Sequence, residues 1–156
     1  MNSVELQPLL NALVGEVITS KTIAGNSIAL WLSVDPKASN ARCLWIDPPW
    51  RIETPDRIES SSYGFPREQE DDESDADYRT RFEAACAASD CLKANTVTAA
   101  VVDPITSDLT LTFKDKRVLR VFAVDLEYEN WHFTDHGARK RYGVWVNGVE
   151  VESLNA

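Results

Sequence analysis

Apolar residues recur at Leu6, Leu9, Leu10, Leu13 and Val14, with Pro8 early and Gly15 just after them. That spacing turns one face of a helix toward a core, and the proline and glycine mark its two ends. From Glu16 the pattern shortens toward a period of two and the residues become β-branched, in VITSKTI, SIALWLSV and RCLWI and then the WRI of Trp50 to Ile52. Four strands are predicted, with the PKASN loop at 36–40 between the second and third and the DPP of residues 47–49 before the fourth. Residues 54–77 are rich in proline, serine and acid and hold few apolar anchors beyond Ile58, Tyr63 and Phe65. A long loop with a mobile acidic tip is expected there.

A second helix should follow, capped by Asp75 or Asp77, with Tyr78, Phe82, Ala85 and Cys86 as its buried stripe. TVTAAVV, LTLTF, VLRVFAV and YENWHF then predict four more strands, with DPITSD and KDK as turns. LTLTF alternates strictly, as a sheet with one wet face requires. In KRYGVWVNGVEVE the Asn147-Gly148 pair favours a two-residue type I′ turn joining VWV to VEV.

The two β regions align block by block, each after a helix, which predicts a duplicated unit at residues 1–53 and 78–134 with the acidic loop 54–77 between. The expected architecture is one α+β domain over residues 1–156, with antiparallel sheet packed against two helices and a C-terminal β-hairpin. Trp50 and Trp131 would then open the fourth strand of each unit, where a large ring closes a sheet against its helix.

Composition narrows the function. The chain has 156 residues, 44% of them hydrophobic, enough for one domain with its own core and with no apolar run near the ~20 residues of a membrane helix. Glu5 stands where an export signal wants positive charge, and Cys43, Cys86 and Cys91 form no CxxC, so a cytoplasmic protein with reduced thiols is expected. Cys86 and Cys91 could pair under oxidation. The net charge is −9, and EQEDDESDAD at 68–77 holds seven acids and no base. Direct nucleic-acid binding needs clustered Lys and Arg, and the basic cluster here is only Arg139, Lys140 and Arg141.

Candidate chemistry is thin. His132, Asp135 and His136 in WHFTDH are the residue types of a metal site or an acid-base hydrolase, although His132 on a strand and Asp135 to Gly137 in a turn need not converge. Asp125, Glu127 and Glu129 would share one face of a strand, which is a binding surface, a carboxylate pair for glycoside chemistry or a solvated face. No phosphate loop, nucleophile elbow, HExxH or EF-hand spacing occurs, and no cofactor is implied. The strongest candidate is a binding surface made by Glu68, Glu70, Asp71, Asp72, Glu73, Asp75 and Asp77 with Tyr63 and Phe65 as apolar anchors. It would steer a protein partner with a basic surface; the bland alternative is a solubilising loop. Pairing of exposed strand edges would give a homodimer.

The Trp50-Arg51 pair and the E-x-W-x-F of Glu129, Trp131 and Phe133, in a small acidic chain of helix and repeated strands, resemble uncharacterised bacterial domains, some of which accompany polymorphic toxins as immunity proteins. The resemblance implies a non-catalytic cytoplasmic protein that neutralises a toxin by binding it, with Trp50 and Trp131 as structural marks.

Overall fold

The computed structural model describes residues 1–33, 35 and 37–155. Val34, expected to end the second strand, and Pro36, expected to open the following loop, lie outside the described residues. Among the described residues the order is α1 (Ser3–Asn11), β1 (Ile18–Ala24), β2 (Ser27–Leu32), β3 (Arg42–Ile46), β4 (Trp50–Glu53), β5 (Ile58–Ser61), α2 (Asp75–Ala88), β6 (Val97–Val102), β7 (Leu109–Phe113), β8 (Val118–Val121), β9 (Trp131–Asp135), β10 (Lys140–Trp145) and β11 (Gly148–Ser153). The protein is α+β, with two antiparallel sheets ordered β1-β2-β3-β9-β10-β11 and β5-β4-β8-β7-β6.

Each sheet has one apolar face. In β7, Leu109, Leu111 and Phe113 are buried while Thr110 and Thr112 stay half-exposed. Leu30, Leu44, Phe133 and Val144 of the first sheet share one hydrophobic cluster with Ile52, Leu111, Leu119 and Val121 of the second. The sheets therefore pack on each other, and the helices flank them. α1 opens on a capping box, Asn2 with Glu5, and buries Leu6 and Leu10 beside β6. Gln7 of α1 donates to Ala100 O and accepts from Val102 N, taking the place of a neighbouring strand along the β6 edge. α2 has no fully buried residue, so the stripe of Tyr78, Phe82, Ala85 and Cys86 is only half-buried. Its C-terminus is tied to β1 by Lys21, whose ammonium donates to Cys86 O at 2.6 Å and Ser89 Oγ at 2.7 Å and pairs with Asp90 at 2.7 Å.

The crossing of the sheets is the feature that periodicity does not contain. β1, β2 and β3 form a meander, and the strand added to it is β9, with Ile46 opposite Trp131 and Leu44 opposite Phe133. β6, β7 and β8 form the other meander, and the strand added to it is β4, with Val121 opposite Trp50 and Leu119 opposite Ile52. The connections that cross are tied to each other: Asp47 N donates to Asn130 O and Phe122 N to Pro49 O. The starts of β1 and β6 are also reciprocal. Ile18 N donates to Asn95 O and Val97 N to Glu16 O, while Gly15 N donates to Val97 O and Ala94 N to Ile18 O. Gly15 and Ala94 both have positive φ, 90° and 59°. Trp50 and Trp131 are buried, and their indoles donate to Asn26 O at 2.8 Å and Ser107 O at 2.9 Å, each in the turn after a meander's first strand.

Several local expectations change. Residues 54–77 are no continuous loop, because Ile58–Ser61 pairs with β4 as β5. β8 ends at Val121 and β9 begins at Trp131, so Asp125, Glu127 and Glu129 lie in a connection rather than on one strand face. The final hairpin pairs Trp145 with Gly148, which makes Val146-Asn147 the turn, one residue earlier than Asn147-Gly148.

Candidate interaction surfaces

The acidic segment is folded onto the N-terminus of α2. Ser74, rather than Asp75 or Asp77, is the cap, its Oγ accepting from Asp77 N at 3.1 Å. Arg81, two turns into the helix, donates to the Glu73 carboxylate at 2.7 and 2.9 Å and holds it below the usual carboxylate range. Gln69 donates to Glu73 O and to Asp75 Oδ1, which closes the turn. The tip expected to be mobile is thus hydrogen-bonded to the helix it precedes. Asp77 accepts from Ser74 Oγ. Glu68, Glu70, Asp71 and Asp72 are exposed, and among the described residues their carboxylates form no ion pair, although Glu70 adds its charge to the field at Arg81. Beside them a surface hollow of about 590 Å³ is lined by Gln69, Asp75, Tyr78, Arg79, Phe82, Glu83 and Cys86. Tyr63 is 64% exposed with Arg67 over its ring. Phe65 is 4% exposed, packed between Trp50 and Phe82, and offers no area to a partner. The rings that line the hollow next to Gln69 are Tyr78 and Phe82.

His132, Asp135 and His136 do not converge. His132 stacks on Trp45 with its Nδ1 2.7 Å from Glu129 Oε1. Asp135 pairs with Arg42 and accepts from Ala138 N, while His136 stacks on Trp31. Among the described residues no three His, Cys, Asp or Glu side chains are grouped to hold a metal ion. Glu129 also accepts from Arg141 at 2.5 Å. Arg141 Nη2 also lies 3.0 Å from His132 Nδ1, so the guanidinium, the imidazole and the Glu129 carboxylate meet at one point. Burial alone would raise the Glu129 carboxyl; the His132 hydrogen bond and charge, with Arg141, outweigh it and hold it low. The carboxylate lies across Gly143, where a Cβ would overlap Glu129 Oε2. Glu129, His132 and Arg141 thus form an ion cluster on a half-exposed face of the first sheet, and a separate hollow of about 550 Å³ is lined by Arg42, Asp135, Asn40 and Glu16.

Cys43, Cys86 and Cys91 are free thiols. Burial pushes Cys43 up to about 12 and Cys91 up to about 11, so neither is a nucleophile at neutral pH.

The connection at 122–130 holds apolar residues that the sequence did not single out beside its carboxylates. Asp125 Oδ1 accepts from Glu127 N and Tyr128 N, and buried Asn130 accepts from Asp125 N and donates to Asp125 O. On this framework Val124, Leu126 and Tyr128 are 62%, 74% and 67% exposed. Alternation of apolar and acidic residues in VDLEYE imitates a half-buried strand; the signal against it was Asp125 with Asn130, both turn-forming types.

Comparison with protein families, curated proteins and solved structures finds no match for the chain.

Proposed function

We propose that this chain is a non-catalytic protein-binding domain that occludes a basic partner, in the manner of a bacterial toxin-neutralising immunity protein acting in the cytoplasm. One observation carries the reading: four exposed carboxylates, Glu68, Glu70, Asp71 and Asp72, are held on a folded turn, make no ion pair among the described residues, and lie near a hollow lined in part by Tyr78 and Phe82. Unpaired charge on an ordered frame favours rapid encounter with a cationic surface, and adjacent rings supply the area that slows release. The scattered partners of His132, Asp135 and His136 favour binding over the metal or hydrolase alternative. Self-pairing of two β11 edges about Val151 is disfavoured, since it would set Glu150 against Glu152.

The test is a variant with Gln or Asn at Glu68, Glu70, Asp71 and Asp72, compared with the natural chain for capture of a basic protein from source cells and then for kinetics with that protein. The association rate should fall about tenfold or more at low salt with little change in dissociation. An unchanged association rate overturns the acidic surface.

The same proposal includes a duplicated origin. Support comes from the reciprocal hydrogen bonds at the starts of β1 and β6 and between the crossing connections, and from the matched Trp50 and Trp131. In this reading α1–β5 and α2–β10 are two copies that have exchanged their fourth strands, and β11 is an addition that completes the C-terminal hairpin.

A further inference from the structure

The chain makes the same crossing between sheets twice, and the two connections differ in length. β3 reaches β4 through residues 47–49, whereas β8 reaches β9 through residues 122–130. The first residue of each connection donates to the last residue of the other, Asp47 N to Asn130 O and Phe122 N to Pro49 O, so both connections begin and end in the same relation to the sheets. Three residues suffice for the crossing. The additional residues in the longer connection therefore do not serve chain reversal or sheet geometry, and long ordered connections in compact domains are where function concentrates.

Those additional residues put large apolar side chains into solvent. Val124, Leu126 and Tyr128 are each more than 60% exposed, and the backbone beneath them is fixed by Asp125 and by Asn130, itself 2% exposed. A fixed backbone removes most of the ordering cost that a flexible loop would meet on docking. Exposed Asp125 and Glu127 alternate with the apolar residues. That spacing opposes insertion into a membrane, because the carboxylates would enter the interface with Leu126 and Tyr128 and would meet an anionic leaflet. It also opposes a second copy, since two acidic loops on chains of net charge −9 would face each other.

We infer that the loop at 122–130 is a protein-docking element, which seats Leu126 and Tyr128 in an apolar pocket of a partner whose rim carries cationic side chains facing Asp125 and Glu127. These residues lie outside the acidic turn at 68–77, so the role shares with the proposed function only the premise that the chain binds a protein. Leu126 and Tyr128 are the anchors, and Glu127 reads the rim.

The experiment places a benzophenone amino acid at Leu126 in the full chain, with the same probe at Ile105, 85% exposed in another turn, as control. Both proteins are irradiated in source cells. A heteromeric adduct formed from Leu126 and not from Ile105 is expected. The captured protein is then purified and titrated against Leu126→Ala, Tyr128→Ala and the four-carboxylate variant of the acidic turn. The docking role requires each alanine to weaken binding about tenfold or more at unchanged melting temperature. Adducts with a second copy, with lipid, equally from Ile105 or not at all overturn it, and so does alanine binding within twofold of the natural chain. If the carboxylate variant alone loses binding, the loop fails and the acidic surface stands; if the alanine variants alone lose it, the loop stands and the acidic surface fails.

Discussion

Lys21 shows how one residue does work that its sequence context conceals. VITSKTI reads as an ordinary strand with lysine on its wet face, but the side chain is 5% exposed and its ammonium is shared by Cys86 O, Ser89 Oγ and Asp90. A cation at the carbonyl end of α2 completes the helix's unsatisfied acceptors and favours its dipole. Lys21→Met should destabilise the protein by about 2–3 kcal/mol in urea unfolding, the cost of removing charged hydrogen bonds to buried acceptors. Gly143 is a second case. Gly143→Ala drives a methyl group into the Glu129 carboxylate and should displace it from His132 and Arg141, lowering the melting temperature at neutral pH. The pH dependence follows from sign. Glu129, Glu53 and Glu59 have folded values below the ordinary 4.5, so the stability they contribute is present above that value and is lost as pH falls through the folded values. Melting temperature should drop steeply below about pH 4.5, and Glu129→Gln should flatten part of that limb.

Elements were legible where a short-range pattern decides them. LTLTF, RCLWI and the leucines of α1 declare their buried faces by spacing alone, and the structure places Leu109, Leu44 and Leu6 accordingly. Element ends were less legible. IESS holds one aliphatic residue and becomes strand β5 only because β4 offers a free edge, a fact about pairing partners rather than composition. The 122–130 connection misled for the opposite reason, since VDLEYE has strand periodicity without a strand beside it. Its conformation depends on Asn130, whose side chain meets Asp125 N, Asp125 O and Tyr128 O. Asn130→Ala should cost about 1–3 kcal/mol through unsatisfied groups and should raise hydrogen exchange at Glu127 and Tyr128, while Leu126→Ser should leave stability within about 0.5 kcal/mol.

At the scale of the molecule, neither half can close its own sheet. The β1–β3 meander is completed by β9 and the β6–β8 meander by β4, and α1 packs on β6 while Lys21 of β1 holds α2. Calorimetry should therefore record one cooperative transition, and two separate transitions would contradict the interlocked pairing. A chain ended at Glu129 should show no cooperative melt by circular dichroism, since β3 keeps β2 but loses β9 along its other edge. The block alignment along the chain pointed to four strands per half and to matched tryptophans, but it could not say which half each fourth strand joins. Pairing between Ile46 and Trp131 is a long-range event for which local spacing holds no information.

The pairing of β3 with β9 also sets a timetable for synthesis. A ribosome adding roughly 5–20 residues each second needs about 4–17 seconds to travel from Ile46 to Trp131. Throughout that interval β3 exists with one edge open, and β4 has been made before β8, the strand it joins. The nascent first half therefore leaves the ribosomal tunnel as an unfinished sheet, a substrate for chaperones, and the native molecule is completed only once the second half has emerged.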